Sequence, residues 1–77
     1  MPKAFVMINA NFGEEKDALE TLKKINGIKH IYETRGVYDF LVEVVAENID
    51  KLQEIVTWQI RRIPAVRSTL TSIVVED

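Results

Sequence analysis

Residues Lys3 to Asn9 place Phe, Val, Met and Ile in a run with no helical spacing, which predicts a first strand closed by the turn-prone Asn11-Phe12-Gly13. From Glu14 to Ile25 the apolar residues Ala18, Leu19, Leu22 and Ile25 recur at three- and four-residue steps, with acidic side chains early and Lys23-Lys24 late. That pattern predicts an amphipathic helix matched to its own dipole and stopped by Asn26-Gly27. Ile28 to Thr34 and Asp39 to Ala46 are β-rich stretches joined by Arg35-Gly36-Val37-Tyr38, so they predict a hairpin whose glycine supplies the positive φ of a tight connection. A second helix is expected from the N-cap candidate Asn48, with Ile49, Leu52, Ile55, Val56, Ile60 and Ile63 on one broad face before Pro64. Val66 to Glu76, rich in Thr, Ser, Val and Ile, predicts a last strand.

The order β-α-β-β-α-β is supported by a weak internal repeat. Ile25-Asn26-Gly27-Ile28-Lys29 aligns with Ile63-Pro64-Ala65-Val66-Arg67, and Lys23-Lys24 aligns with Arg61-Arg62 at the same offset. Two copies of a split βαβ unit give an α+β, ferredoxin-like fold: a four-stranded antiparallel sheet with both helices on one face. A sheet covered on one face should be polar on the other. Here Ala4, Val6 and Ile8 are opposed by Phe5 and Met7, while Phe40, Val42 and Val44 are opposed by Leu41, Glu43 and Val45. In the last strand Ile73 and Val75 stand opposite Leu70 and Val74. Both faces call for burial, so pairing of two sheets in a homodimer is expected.

Length and composition narrow the function. A chain of 77 residues, 47% hydrophobic and 29% charged, fits a single globular domain over residues 1–77, and its small size makes association a natural source of buried area. A formal charge of −2 lacks the electrostatic footprint of a dedicated nucleic-acid binder or a polybasic membrane anchor. The absence of cysteine removes thiol nucleophiles and thiolate metal sites, and fits a cytoplasmic protein. No apolar run approaches the roughly 20 residues that cross a bilayer, and no secretory signal opens the chain. His30, the single histidine, lacks partners for a metal site, and Trp58 near Arg61 and Arg62 reads as a packing or subunit contact. With no nucleophile motif, P-loop or dinucleotide fingerprint, no enzyme activity and no cofactor are expected.

The turn Gly36-x-Tyr38-Asp39 before the third strand, together with Ile63-x-x-Val66-x-Ser68-Thr69-x-Thr71, resembles the effector-binding domain of the Lrp/AsnC family of transcriptional regulators. The resemblance covers almost the whole chain. It implies a domain that dimerises through its sheets, assembles dimers into a ring such as an octamer, and binds a small amino-acid effector at contacts between dimers. The matching residues are Gly36, Val37, Tyr38, Asp39, Thr69 and Thr71. It further implies a stand-alone domain without the helix-turn-helix, which regulates through partners such as full-length family members and has no direct nucleic-acid contact.

Chemistry fits these residues to the task. A zwitterion needs an acceptor for its ammonium, which Asp39 supplies, and donors for its carboxylate, which backbone N–H groups near Gly36 and the hydroxyls of Thr69 or Thr71 supply. Tyr38 would line the wall. Structural readings stand beside these: Asp39 as a hairpin cap, the threonines as ordinary strand residues, Tyr38 as an interface aromatic. Two other functions remain open at this point. The segment Arg35 to Val42 superficially resembles an RNA-recognition signature, although Asp39 and Glu43 place negative charge near phosphates. A small dimeric α/β-barrel enzyme would share the fold.

Overall fold

The computed structural model describes residues 1–75, and the expected end of the last strand at Glu76 lies outside them. Four strands, β1 (Lys3–Ala10), β2 (Ile28–Glu33), β3 (Phe40–Val45) and β4 (Val66–Ile73), form one antiparallel sheet in the order β2-β3-β1-β4. Helix α1 (Glu15–Leu22) follows β1, and α2 (Ile49–Glu54) follows β3 and runs on into a π-helical segment, Ile55–Ile60. The architecture is the ferredoxin-like βαββαβ arrangement expected from the sequence. No helix among the described residues is long and apolar enough to cross a membrane.

The core lies on the helix-covered face. Ala4, Val6 and Ile8 of β1 and Phe40, Val42 and Val44 of β3 are buried there against Ala18 and Leu22 of α1 and Leu52 of α2. Each fully buried aliphatic side chain contributes about 1.5–3 kcal/mol, so this face supplies most of the fold's stabilisation. Asn48 caps α2 as expected, its Oδ1 accepting from the Lys51 N–H at 2.8 Å.

Several details differ from the sequence reading, and β2, β3 and the second helical stretch end within a few residues of their expected limits. α1 stops at Leu22 rather than Ile25, since Lys23 and Lys24 already turn toward Gly27, whose φ is +101°. β4 ends at Ile73, leaving Val74 and Val75 outside it. Ile49, expected on the buried face, is exposed because the buried stripe of α2 begins at Leu52.

The repeat is real in three dimensions and broken at one place. The Ile25 N–H bonds the Leu22 carbonyl and the Ile63 N–H bonds the Ile60 carbonyl, both at 3.1 Å and 38 positions apart. Lys23 donates to Leu19, four residues back, whereas its counterpart Arg61 donates to Val56, five back. Leu52, Val56 and Ile60, at four-residue steps, are buried on one side of this helical stretch.

Candidate functional site

On the helix-covered face the cross-strand rows stop being apolar at β4. Val42 and Val6 align with Thr71, and Phe40 and Ile8 align with Thr69. These hydroxyls sit on an edge strand, and between them and the second helix lies an open cleft of about 750 Å³, within the range of small-molecule sites. Ala4, Leu52, Val56 and Ile73 form its apolar floor, and Gln53, Thr57 and Arg61 line the helical wall. Arg67, Thr69 and Thr71 line the strand wall.

Gln53, Thr57 and Arg61 follow one another at four-residue steps directly beside the buried stripe Leu52, Val56 and Ile60. Residues at this spacing share a helix flank, and all three line the cleft beside β4. The sequence reading named Thr69 and Thr71 but not Arg61, Arg67, Gln53 or Thr57. The signal was available in the four-residue spacing on the helix and in the alternation of Arg67 with the two threonines.

The other predicted residues sit elsewhere. Gly36, Val37, Tyr38 and Asp39 form the β2–β3 connection, beyond the Phe40–Ile8–Thr69 row and outside the lining of the cleft. Phe40 and Thr69 are separated by β1, two strand spacings or about 10 Å. Gly36 has φ +135°, and Val37 is exposed at the tip. The Thr34 Oγ1–H donates to the Tyr38 carbonyl at 2.6 Å, which pins the Tyr38 backbone.

Asp39 has a structural role. Its Oδ2 accepts from the Ala10 N–H at 2.9 Å, where β1 slips register against β4, so it satisfies a donor that the ladder leaves over. Its backbone N–H bonds the Ile8 carbonyl at 3.0 Å. No described residue donates to Oδ1, so half of the carboxylate remains available.

The opposite face of the sheet is uncovered. Tyr32, Leu41, Met7 and Leu70 form one apolar row across all four strands, with Tyr32 50% and Leu70 49% exposed. Glu43 interrupts the apolar face; it is only 8% exposed and pairs with Lys3 at 3.3 Å. Trp58 is exposed on the outer side of the second helix under the Arg62 guanidinium, 4.3 Å from the ring centre. Among the described residues no three His, Cys, Asp or Glu side chains cluster as metal ligands.

Comparison with known proteins places this geometry. A family model described as the Lrp/AsnC ligand binding domain matches residues 3–77. The HTH-type transcriptional regulator FL11 of Pyrococcus abyssi is 33% identical over 73 residues, covering 95% of this chain and 48% of the regulator. The solved structure of AsnC from E. coli superimposes with a TM-score of 0.90 at 27% identity, over 99% of this chain and 52% of that one. A homocitrate synthase of Saccharolobus solfataricus is 46% identical over 55 residues, 71% of this chain but only 12% of the enzyme. The chain thus spans about half of the regulators and a small part of the synthase.

Proposed function

The chain belongs to the Lrp/AsnC ligand-binding-domain family, and from that premise we propose that it binds a free amino acid at a site completed by a second copy of itself. The observation that carries this reading is the division of the candidate site. Thr69 and Thr71 line the α2–β4 cleft, whereas Gly36, Val37, Tyr38 and Asp39 stand on the connection outside it. A ligand held by both sets needs the connection of one subunit to close over the cleft of another. Binding at such a joint favours whichever assembly presents the complete site, so the effector sets the oligomeric state.

The uncovered row Tyr32–Leu41–Met7–Leu70 supports sheet-to-sheet pairing as the basic dimer, with further dimers joined into a ring at the ligand contacts. The same type of domain matches part of a DNA-binding regulator and part of an enzyme, which supports a sensing role without catalysis of its own. Its output then passes to a partner, including full-length regulators of the family.

A calorimetric screen of the twenty amino acids, with light scattering alongside, tests the reading. Asp39→Asn is the informative variant, because it keeps an acceptor for the Ala10 N–H while removing the charge. We expect one amino acid to bind and to change the particle mass, and Asp39→Asn to bind it at least about tenfold more weakly. The reading fails if none binds or if the variant binds equally well.

A further inference from the structure

We propose that the effector is an acidic amino acid, an aspartate- or glutamate-like molecule whose side-chain carboxylate is gripped by Arg61 and Arg67 in the α2–β4 cleft. This rests on the preceding reading and adds the chemical class of the ligand. The charged residues that line the cleft are these two arginines, one on each wall. Among the described residues no aspartate or glutamate lines it. Among the described residues the ion pair present is Lys3–Glu43, on the opposite face of the sheet, and none of those residues' carboxylates pairs with either guanidinium.

Two like charges facing one cleft repel each other until an anion enters between them. A guanidinium presents paired N–H donors in a planar fork that fits a carboxylate in two-point contact, which a neutral amide or hydroxyl satisfies less well. The surrounding groups suit the rest of such a side chain. The hydroxyls of Thr57, Thr69 and Thr71 and the amide of Gln53 offer further donors, and Leu52 and Val56 offer an apolar floor for its methylene carbons. The α-ammonium and α-carboxylate are left for Asp39 and the backbone near Gly36 of the neighbouring copy. A lysine- or arginine-like ligand would bring a third cation into the cleft, and a leucine-like one would leave both guanidiniums without a partner.

The test is calorimetric titration of the full chain with glutamate, aspartate, glutamine, asparagine, leucine and lysine, using wild type, Arg61→Gln and Arg67→Gln. Both arginines are exposed, so the variants are expected to fold, and circular dichroism verifies it. Expected is a preference of at least about tenfold for an acidic amino acid over its amide. Each glutamine variant should weaken acidic binding about tenfold while leaving amide binding nearly unchanged, and Arg67→Lys should restore part of the preference. Raising salt should weaken the acidic ligand more than the amide. The inference is overturned if a neutral or basic amino acid binds best, or if both glutamine variants hold the acidic ligand as tightly as wild type. A neutral or basic effector that still requires Asp39 leaves the amino-acid reading standing, whereas silence here and in the calorimetric screen of the twenty amino acids removes both.

Discussion

Ile8 and Met7 are neighbours on β1 with similar apolar side chains, yet they live on faces with different fates. Ile8 is fully buried under the helices, in a row with Phe40 that ends at Thr69. Met7 sits in the row Tyr32–Leu41–Met7–Leu70, which stays apolar to both edges of the sheet and is covered by no helix among the described residues. The helix-covered face is therefore closed for folding and opened only at the β4 edge, where hydroxyls and arginines replace the core. The other face is closed nowhere and spends its apolar area on whatever binds it. One strand thus serves stability with its even-numbered residues and association with its odd-numbered ones.

The largest expected effect breaks the comparison directly. Ile8→Ala should cost about 3 kcal/mol in urea unfolding, since it leaves a cavity among side chains that cannot close over it. Met7→Ala, one residue away, should cost about 1 kcal/mol in dilute protein, because its side chain is only partly buried and lies outside the core. Equal costs for the two would mean that the faces are not distinct in the folded monomer.

Glycines on the two sides should differ in the same sense. A Cβ on Gly27 would lie 2.7 Å from Ile55 Cδ1 and 3.2 Å from the Val45 carbonyl oxygen, at φ +101°. Gly27→Ala should therefore lose about 2 kcal/mol from backbone strain and crowding together. A Cβ on Gly36 meets nothing within 4 Å, so Gly36→Ala carries the strain of φ +135° alone, about 1 kcal/mol. Thermal unfolding of both variants at one concentration checks the difference. Their order would invert if the second helix did not press on the β2 end of the sheet.

How far these contrasts could be read in advance depends on the range of the interaction. Asn48 caps the helix through a bond three residues away, and the apolar alternation of β1 and β3 is local, so both were legible. The repeat was legible too, because its offset is carried by sequence-adjacent residues. Asp39 was legible as a turn residue but not as the partner of Ala10, which lies 29 positions away and needs a bond only because β1 slips against β4. The π turn was not legible: Ile55, Val56 and Ile60 fit an ordinary helical face, and nothing in their spacing marks the five-residue bond from Arg61 to Val56. Arg61 reads in the sequence as half of a repeated basic pair, and its place in one cleft with Arg67 depends on how the second helix packs beside β4.

A charge placed in the open row sharpens the comparison from the association side. Leu70→Asp should change monomer stability by less than about 0.5 kcal/mol, as expected of a half-exposed side chain outside the core. It should weaken self-association at least about tenfold by burying an unpaired carboxylate wherever two sheets meet. Sedimentation over a concentration series measures this. A variant that associates as strongly as wild type would show that this face is not the interface.

A small effect in the monomer is the most diagnostic of cover. Lys3 and Glu43 form an ion pair on the open face at 3.3 Å, but the lysine side chain is 38% exposed. Water reaches the lysine end of the pair while Glu43 is largely buried, so Lys3→Met should lower dilute-protein stability by about 0.5 kcal/mol, and 1 M salt should reduce that loss. If a second sheet covers the pair, water is excluded, and the same substitution strands Glu43 as a buried charge without its cation. The penalty must then fall on the dimer rather than on the fold. Unfolding measured below and above the association midpoint separates the two cases: a loss that grows with protein concentration and survives salt marks a covered face, and a loss that stays small at every concentration marks one that remains in water.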